Sequence, residues 1–326
     1  MSAELPADPV FLIAAGLLAA GALSAAFTDK VRIPGLLIFL ALGMLFGDDG
    51  LNLISLSDPR VAQTFGVLAL LVILFQGGLT TKPSDLRLAA LPGLGLATFG
   101  VVLTAAVVAA GAMLLAGVDL ITAALIGAVV SSTDAVAVFG LLRKAPLPRR
   151  ITALLEVESG ANDPMAILLT VAVLEAWSST LSAGDWLLFG LAQLGGGLLI
   201  GALVGWAGSW LLRRVHLGAA GLYPVLALGV AGLSYGTGAA LGASGFLAVY
   251  ITGLIVGAQV PRHRRGIREF HDVLANTAEI GLFLMLGLLV FPSRLPPVIL
   301  TGVTVTAVLV FIARPLAVFS VLGVPL

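Results

Sequence analysis

The sequence predicts an all-α, polytopic membrane protein, and three observations carry that prediction. The 326 residues are 59% hydrophobic and 10% charged, with a mean hydropathy of +1.12, whereas soluble domains carry roughly a quarter of their residues as charges. Apolar runs long enough for a ~30 Å hydrocarbon core recur along the chain. Runs such as 94–117 and 187–212 are apolar on every face, which does not fit the short alternating strands of a membrane β-barrel.

Breaks of charge, proline and glycine divide these runs into about eleven spans. The first, 9–27, has no Lys or Arg before it, so it reads as a retained helix and not as a cleaved leader. The second, 33–47, stops at Asp48-Asp49-Gly50, and the third, 61–80, lies between Asp58-Pro59 and Lys82-Pro83. The fourth, 88–116, ends at Gly117. The fifth and sixth, 120–143 and 150–175, flank a short turn bracketed by Arg143 and Arg150, so they are antiparallel neighbours. The seventh, 186–213, runs from Asp185 to Arg213-Arg214. A glycine-rich break separates the eighth, 221–238, from the ninth, 241–258. The tenth, 272–291, follows the basic segment Arg262 to Arg268, and the eleventh, 296–316, follows Pro292-Ser293-Arg294.

Formal charge is balanced, with 17 basic and 17 acidic residues, but it is not evenly spread. Apart from Arg60 and Arg294, every Lys and Arg falls after an odd-numbered span, Arg314 being counted with these at the end of the eleventh. The opposite loops carry Asp48, Asp49, Asp58, Asp119 and Asp185. The positive-inside rule then puts the N-terminus outside and the basic loops in the cytoplasm. There is no cysteine, and three scattered His form no metal-ligand set. Neither a cofactor nor a nucleic-acid partner is expected, since no phosphate-cradling glycine loop opens a soluble helix.

The chemistry concentrates in Glu158-Ser159-Gly160-Ala161-Asn162-Asp163-Pro164. Carboxylates inside a membrane span are costly and ask for a function. Glu158 and Asn162 are four residues apart, as are Ser159 and Asp163, so the four share one helix face. Pro164 lacks the N–H that would bond the Gly160 carbonyl and so frees another oxygen. Such oxygens are what a dehydrated alkali cation seeks. Asp163 is thirteen residues from Arg150, roughly 20 Å along a helix, and Asp134 is nine from Arg143, roughly 13 Å. Both belong near mid-membrane. Ser131-Ser132-Thr133-Asp134 interrupts the fifth span with residues that cap and turn helices, so a broken helix is expected whose free backbone groups face Asp163.

Plainer roles compete at each position. Asp134 could only cap the following half-helix, and Asn162 and Ser159 could be interhelical hydrogen-bond links. Glu158 could form a structural ion pair with an arginine of another span, while Glu156 points elsewhere, towards Arg149. Glu279 either lines the cavity, as Ser132 could, or pairs with a cation. Gly197, Gly201 and Gly205 form a packing ridge, and Arg262 to Arg268 read as a solvated cytoplasmic loop within reach of anionic lipid.

Ser132-Thr133-Asp134-Ala135, followed by 154–167 around Glu158, Asn162 and Asp163, resembles the monovalent cation/proton antiporter superfamily. It is most similar to the potassium/proton antiporters of the cell-volume-regulation type, relatives of the sodium/proton exchangers. Phe75-Gln76-Gly77-Gly78-Leu79, Gly221 to Val225, Ser244 to Tyr250, Leu286 to Val290 and Ala313-Arg314-Pro315-Leu316 extend the resemblance over nearly the whole chain. The resemblance implies an inverted-repeat fold of thirteen helices, about eleven of them present here as a C-terminally truncated antiporter, without the last core helices or any cytosolic regulatory domain. It implies a homodimer in the inner (plasma) membrane, serving pH and volume homeostasis, with K+ or Na+ and H+ as cargo. Asp163 would take either a proton or a cation, with Asn162, Ser159, Thr133 and Asp134 completing the site. The arginine partner of Glu158 would lie in a Gly-Leu-Arg-Gly-like segment, which this sequence lacks. Because Asn162 adds no charge, exchange of one cation for one proton would be electroneutral. A cation channel and an intramembrane aspartyl protease using Asp134 and Asp163 are the alternatives.

Overall fold

A computed structural model describes residues 15–16, 19, 23, 35–56, 58–133, 147–178, 182–260 and 263–323, and among them every regular element is a helix. In chain order these are α1 (Gly35–Phe46), α2 (Pro59–Thr80), α3 (Pro83–Gly95), α4 (Val101–Ala116), α5 (Leu120–Val130), α6 (Arg149–Ser178), α7 (Ala183–Arg214), α8 (Leu222–Ala240), α9 (Gly245–Gln259), α10 (Arg264–Leu289), α11 (Ile299–Val308) and α12 (Arg314–Leu322). A π-turn at Leu96–Gly100 joins α3 to α4, and another at Leu309–Ala313 joins α11 to α12. Among the described residues seven helical stretches are long and apolar enough to cross a membrane, and α1, α5 and α9 are shorter apolar helices. Most of the expected first span lies outside the described residues.

Local chemistry fixes the helix ends. Asp58 accepts from the Arg60 N–H at 2.9 Å ahead of Pro59, whose missing N–H would be unpaired in a first turn anyway. Asp119 accepts from Ile121 and Thr122, Ser182 and Asp185 form a reciprocal capping box, and Ser244 caps α9. Gly117 ends α4 at φ 67°, a left-handed turn that a side chain would strain.

The helices form two bundles. In the first, Ala89, Leu96, Ala153, Leu154 and Val157 pack with Val318, Val321 and Leu322, tying α3 and α6 to α12. Val108, Ala112, Ala123 and Val305 tie α4, α5 and α11 together. The second bundle centres on Phe75, Leu79, Leu212, Tyr223, Val249, Val256 and Ile267, from α2 and α7 to α10. Leu36 and Phe39 bring in α1 against Leu284. The ridge of Gly197, Gly201 and Gly205 lies directly on α9: a Cβ on Gly201 would stand 2.6 Å from the Ala248 carbonyl oxygen. The bundles meet where α6 passes α9 and α2. Leu91, Leu114, Leu300 and Phe311, each over three-quarters exposed, lie on the outside.

Two expectations are corrected. The segment from Arg264 to Arg268 is not a solvated loop but the first turn of α10, which starts eight residues earlier than the hydropathy suggests. Arg264 Nη2 donates to the Ala258 carbonyl at 3.0 Å and Arg268 Nη2 to the Leu79 carbonyl at 2.6 Å. These carbonyls end α9 and α2, where unpaired oxygens and the helix dipole favour a cation. Nor does Arg314 belong to a cytoplasmic loop. The last helical stretch runs on to Leu322, and Pro315 sits in the first turn after the π-turn, where its lack of an N–H is tolerated.

Candidate cation and proton site

Helix α5 ends at Val130, at the point where the sequence predicts a break in the fifth span. Ser131 closes the helix by donating to the Ala128 carbonyl at 2.7 Å, and Ser132 and Thr133 continue as non-helical chain. Asp134 lies outside the described residues. The turn at Ser132 and Thr133 faces the polar face of α6.

Four groups of α6 meet it. Ser159 Oγ donates to the Thr133 carbonyl at 2.9 Å, so the backbone oxygen released by the break is taken up by a side chain. Asn162, fully buried, donates through Nδ2 to Thr133 Oγ1 at 3.0 Å and to the Thr133 carbonyl at 3.5 Å. Ser132 Oγ lies 2.5 Å from Asp163 Oδ1 and 3.2 Å from Asn162 Oδ1. Its single proton goes to the carboxylate at the shorter distance. Glu158, with 6% of its surface exposed, approaches Thr133 Oγ1 at 3.5 Å. Pro164 is accommodated without interrupting α6, which is helical for 30 residues.

Arg314 closes the arrangement from α12. Its Nη1 stands 3.0 Å from Glu158 Oε1 without hydrogen-bond alignment, so the pair is held by charge, while Nη2 donates to Thr133 Oγ1. With Glu158 and Arg314 side chains only 8% and 20% exposed, the attraction is little screened. Glu158 thus pairs with an arginine of another span, as one reading of the sequence allowed, although that arginine does not stand in a Gly-Leu-Arg-Gly-like segment. The signal in the sequence was an arginine inside an apolar run, at 309–316, which by its cost belongs in the membrane interior and beside an acid.

Glu279 stands half-buried on α10 of the second bundle, outside this helix pair. Other polar groups escaped the sequence reading. Gln76 Nε2 donates to Asp272 Oδ1 at 3.2 Å between α2 and α10, and buried His271 uses Nδ1 on the Ile267 carbonyl at 2.7 Å and stacks edge-on against Phe75. Among the described residues no group of three or more His, Cys, Asp or Glu could hold a metal ion.

A helix end whose oxygens meet a half-buried carboxylate and a buried amide and hydroxyl can hold either a proton or a small dehydrated cation. Comparison with known proteins agrees in kind. Residues 15–325 match the family model of the transmembrane sodium/hydrogen exchanger. The chain belongs to the sodium/hydrogen exchanger family. That family consists of transporters and not of enzymes, and this member is a multi-pass membrane protein. Over 312 residues it is 41% identical to the K(+)/H(+) antiporter NhaP2 of Shewanella oneidensis, covering 95% of this chain and 54% of that protein. It is 40% identical over 300 residues to the K(+)/H(+) antiporter NhaP of Alkalimonas amylolytica, covering 89% and 51%. The chain thus spans about half the length of these relatives. The solved sodium proton antiporter MjNhaP1 of Methanocaldococcus jannaschii superposes with a TM-score of 0.84 at 24% identity, covering 97% of this chain and 79% of that one. The antiporter fold is therefore shared.

Proposed function

We propose that this exchanger-family member is a secondary active antiporter that trades a monovalent cation for a proton at Asp163. The observation that carries the reading is the meeting of Ser132 and Thr133, at the end of α5, with Ser159, Asn162 and Asp163 on α6. In the proton-loaded state Asp163 is neutral, and its partial burial costs little. For a cation to replace the proton, Ser132 must turn its hydrogen away and present lone pairs. Asn162 and Ser159 are anchored on Thr133, so they keep the backbone of the break in place while this happens. The family resemblance adds Asp134, which lies outside the described residues, to this set. Glu158 stays ion-paired with Arg314 and carries no cargo.

Asn162 contributes no charge, so one cation replaces one proton and no net charge crosses. Potassium is favoured over sodium because two relatives are named potassium/proton antiporters. The protein works as a homodimer of the inner membrane with its N-terminus outside, eleven spans of this chain forming part of a thirteen-helix protomer.

The reading is tested with full-length protein in proteoliposomes, by following internal pH on addition of potassium or sodium salt. Proton movement dependent on the cation, abolished by Asp163→Asn and unchanged by a clamped membrane potential, is expected. Movement that survives the substitution would place the exchange elsewhere, and current in the absence of a proton gradient would favour a channel.

A further inference from the structure

Where α6 passes the second bundle, one side chain fills the contact. Tyr250, in the middle of α9, is 4% exposed. Its hydroxyl oxygen stands 2.5 Å from where a Cβ on Gly160 would be, and two ring carbons stand 3.0 Å from it. Any side chain at 160 would have to displace a rigid ring from a close-packed seam. Gly160 lies between Ser159 and Asn162 on the stretch of α6 that carries the site. Asp163 is near enough for its charge to act on the phenol.

The other side of the phenol is anchored. Thr81, just past the end of α2, hydrogen-bonds the Tyr250 hydroxyl, while its own Oγ1 donates to the Gly77 carbonyl at 2.8 Å. The backbone beneath is fixed as well. A Cβ on Gly78 would fall 2.4 Å from the Tyr250 carbonyl oxygen, and one on Gly253 would fall 2.5 Å from that of Phe75. At this closeness α2 and α9 move as one piece.

We propose that Tyr250 is a positioning residue for the cation site: anchored by Thr81 on the α2–α9 pair, its phenol seats on Gly160 and sets how α6 presents Asp163 to an arriving cation. The inference rests on Asp163 being the exchanging carboxylate. It assigns the second bundle a direct part in cation affinity, through a group that does not bind the cation itself.

The test measures, in proteoliposomes of the full-length protein, the potassium concentration that gives half-maximal proton movement and the maximal rate. Tyr250→Phe and Thr81→Val each remove the same hydrogen bond, so each raises that concentration about fivefold, the size of one net hydrogen bond, and the double variant does no more than either alone. Maximal rate stays within about twofold of the wild type, the pattern of altered ground-state binding. Gly160→Ala weakens affinity further, and Tyr250→Phe added to it restores part of the loss, because the phenol oxygen is the atom nearest the new methyl group. Unchanged half-maximal concentrations in both single variants overturn the proposal. So does a loss of maximal rate and melting temperature at constant half-maximal concentration, which would make the contact structural only. If the wild type moves no protons with either salt, the assignment of Asp163 fails and takes this one with it. If wild-type exchange is lost in Asp163→Asn while the Tyr250 and Thr81 variants match the wild type, the positioning role alone fails.

Discussion

Glu158 and Arg314 show why a charge inside a membrane protein has to be judged with its partner. The two side chains are almost fully buried at 3.0 Å, and removing one leaves the other without compensation in a low-dielectric setting. Arg314→Gln is therefore expected to destabilise the fold by about 3 kcal/mol, the range for breaking a buried pair, read as a lowered melting temperature in detergent. Adding Glu158→Gln should recover much of that loss, since two neutral groups can hydrogen-bond where one stranded charge cannot. A double variant no more stable than Arg314→Gln alone would show that Arg314 acts mainly through Thr133. The sequence displayed Glu158 clearly, because an acid four residues before an amide marks a helix face. It also displayed Arg314, but with the hydropathy boundary at 316 that residue stood at the very end of its span and was counted with the cytoplasmic charges. Six more helical residues, carried by a π-turn that no composition rule signals, returned it to the interior. Tyr250 was hidden for another reason: a tyrosine in an apolar run reads as packing, and only the absence of a side chain at Gly160, distant in sequence, gives its hydroxyl a place.

Helices were legible in the sequence where their ends are chemical. Asp58, Asp119 and Asp185 each stand at or near the start that the structure assigns. Asp119 offers a test of that logic. Its carboxyl is held below its ordinary value by the side-chain and backbone hydrogen bonds of Thr122. A carboxyl lowered in the folded state stabilises the fold above its unfolded value and loses that contribution as pH falls through the lowered one. The window therefore lies at and below the ordinary aspartate value of about 3.9. Hydrogen-exchange protection of the Ile121 and Thr122 amides should fall there in the wild type, but not in Asp119→Asn, whose amide caps without titrating. Equal acid loss in both would mean that the first turn of α5 is held by packing. Helix-to-helix contact was less legible. The ridge on α7 could be read from a regular spacing of four, and Gly253 and Gly257 repeat that spacing on α9, but Gly78 has no such repeat and shows its role only through the partner helix. Gly253→Val is expected to pry α9 from α2 and to cost about 2 kcal/mol as overpacking, measured by thermal unfolding. A neutral result would show the seam to be compliant, and Tyr250 would then lose its fixed base.

The two ends of the molecule differ in charge as the sequence does, and contacts between loops show which segments share an end. Ser293 N–H donates to Asp49 Oδ2 at 2.7 Å, which joins the α1–α2 and α10–α11 connections at one end. At the other, Arg149 reaches Ser84, Tyr223 stacks on His263 at 3.6 Å, and Arg268 caps α2. Lys82, Arg149, Arg150, Arg213, Arg214, Arg264 and Arg265 gather at this second end, and Asp48, Asp49, Asp58, Asp119 and Asp185 at the first. Loop register and charge are independent, yet they sort these segments alike. By the positive-inside rule the basic end is expected on the cytoplasmic side. These 326 residues carry no cysteine, so within them an introduced thiol is the sole target and the assignment is easy to test. Asn52→Cys and Val118→Cys, in the acidic loops, should react with a membrane-impermeant maleimide added to intact cells. Lys82→Cys and His216→Cys should react only after the membrane is opened. All four sites reacting from the opposite sides would invert the molecule without changing the fold. A mixed pattern would be more serious, because it would break the link between loop contacts and charge and require one helix not to cross.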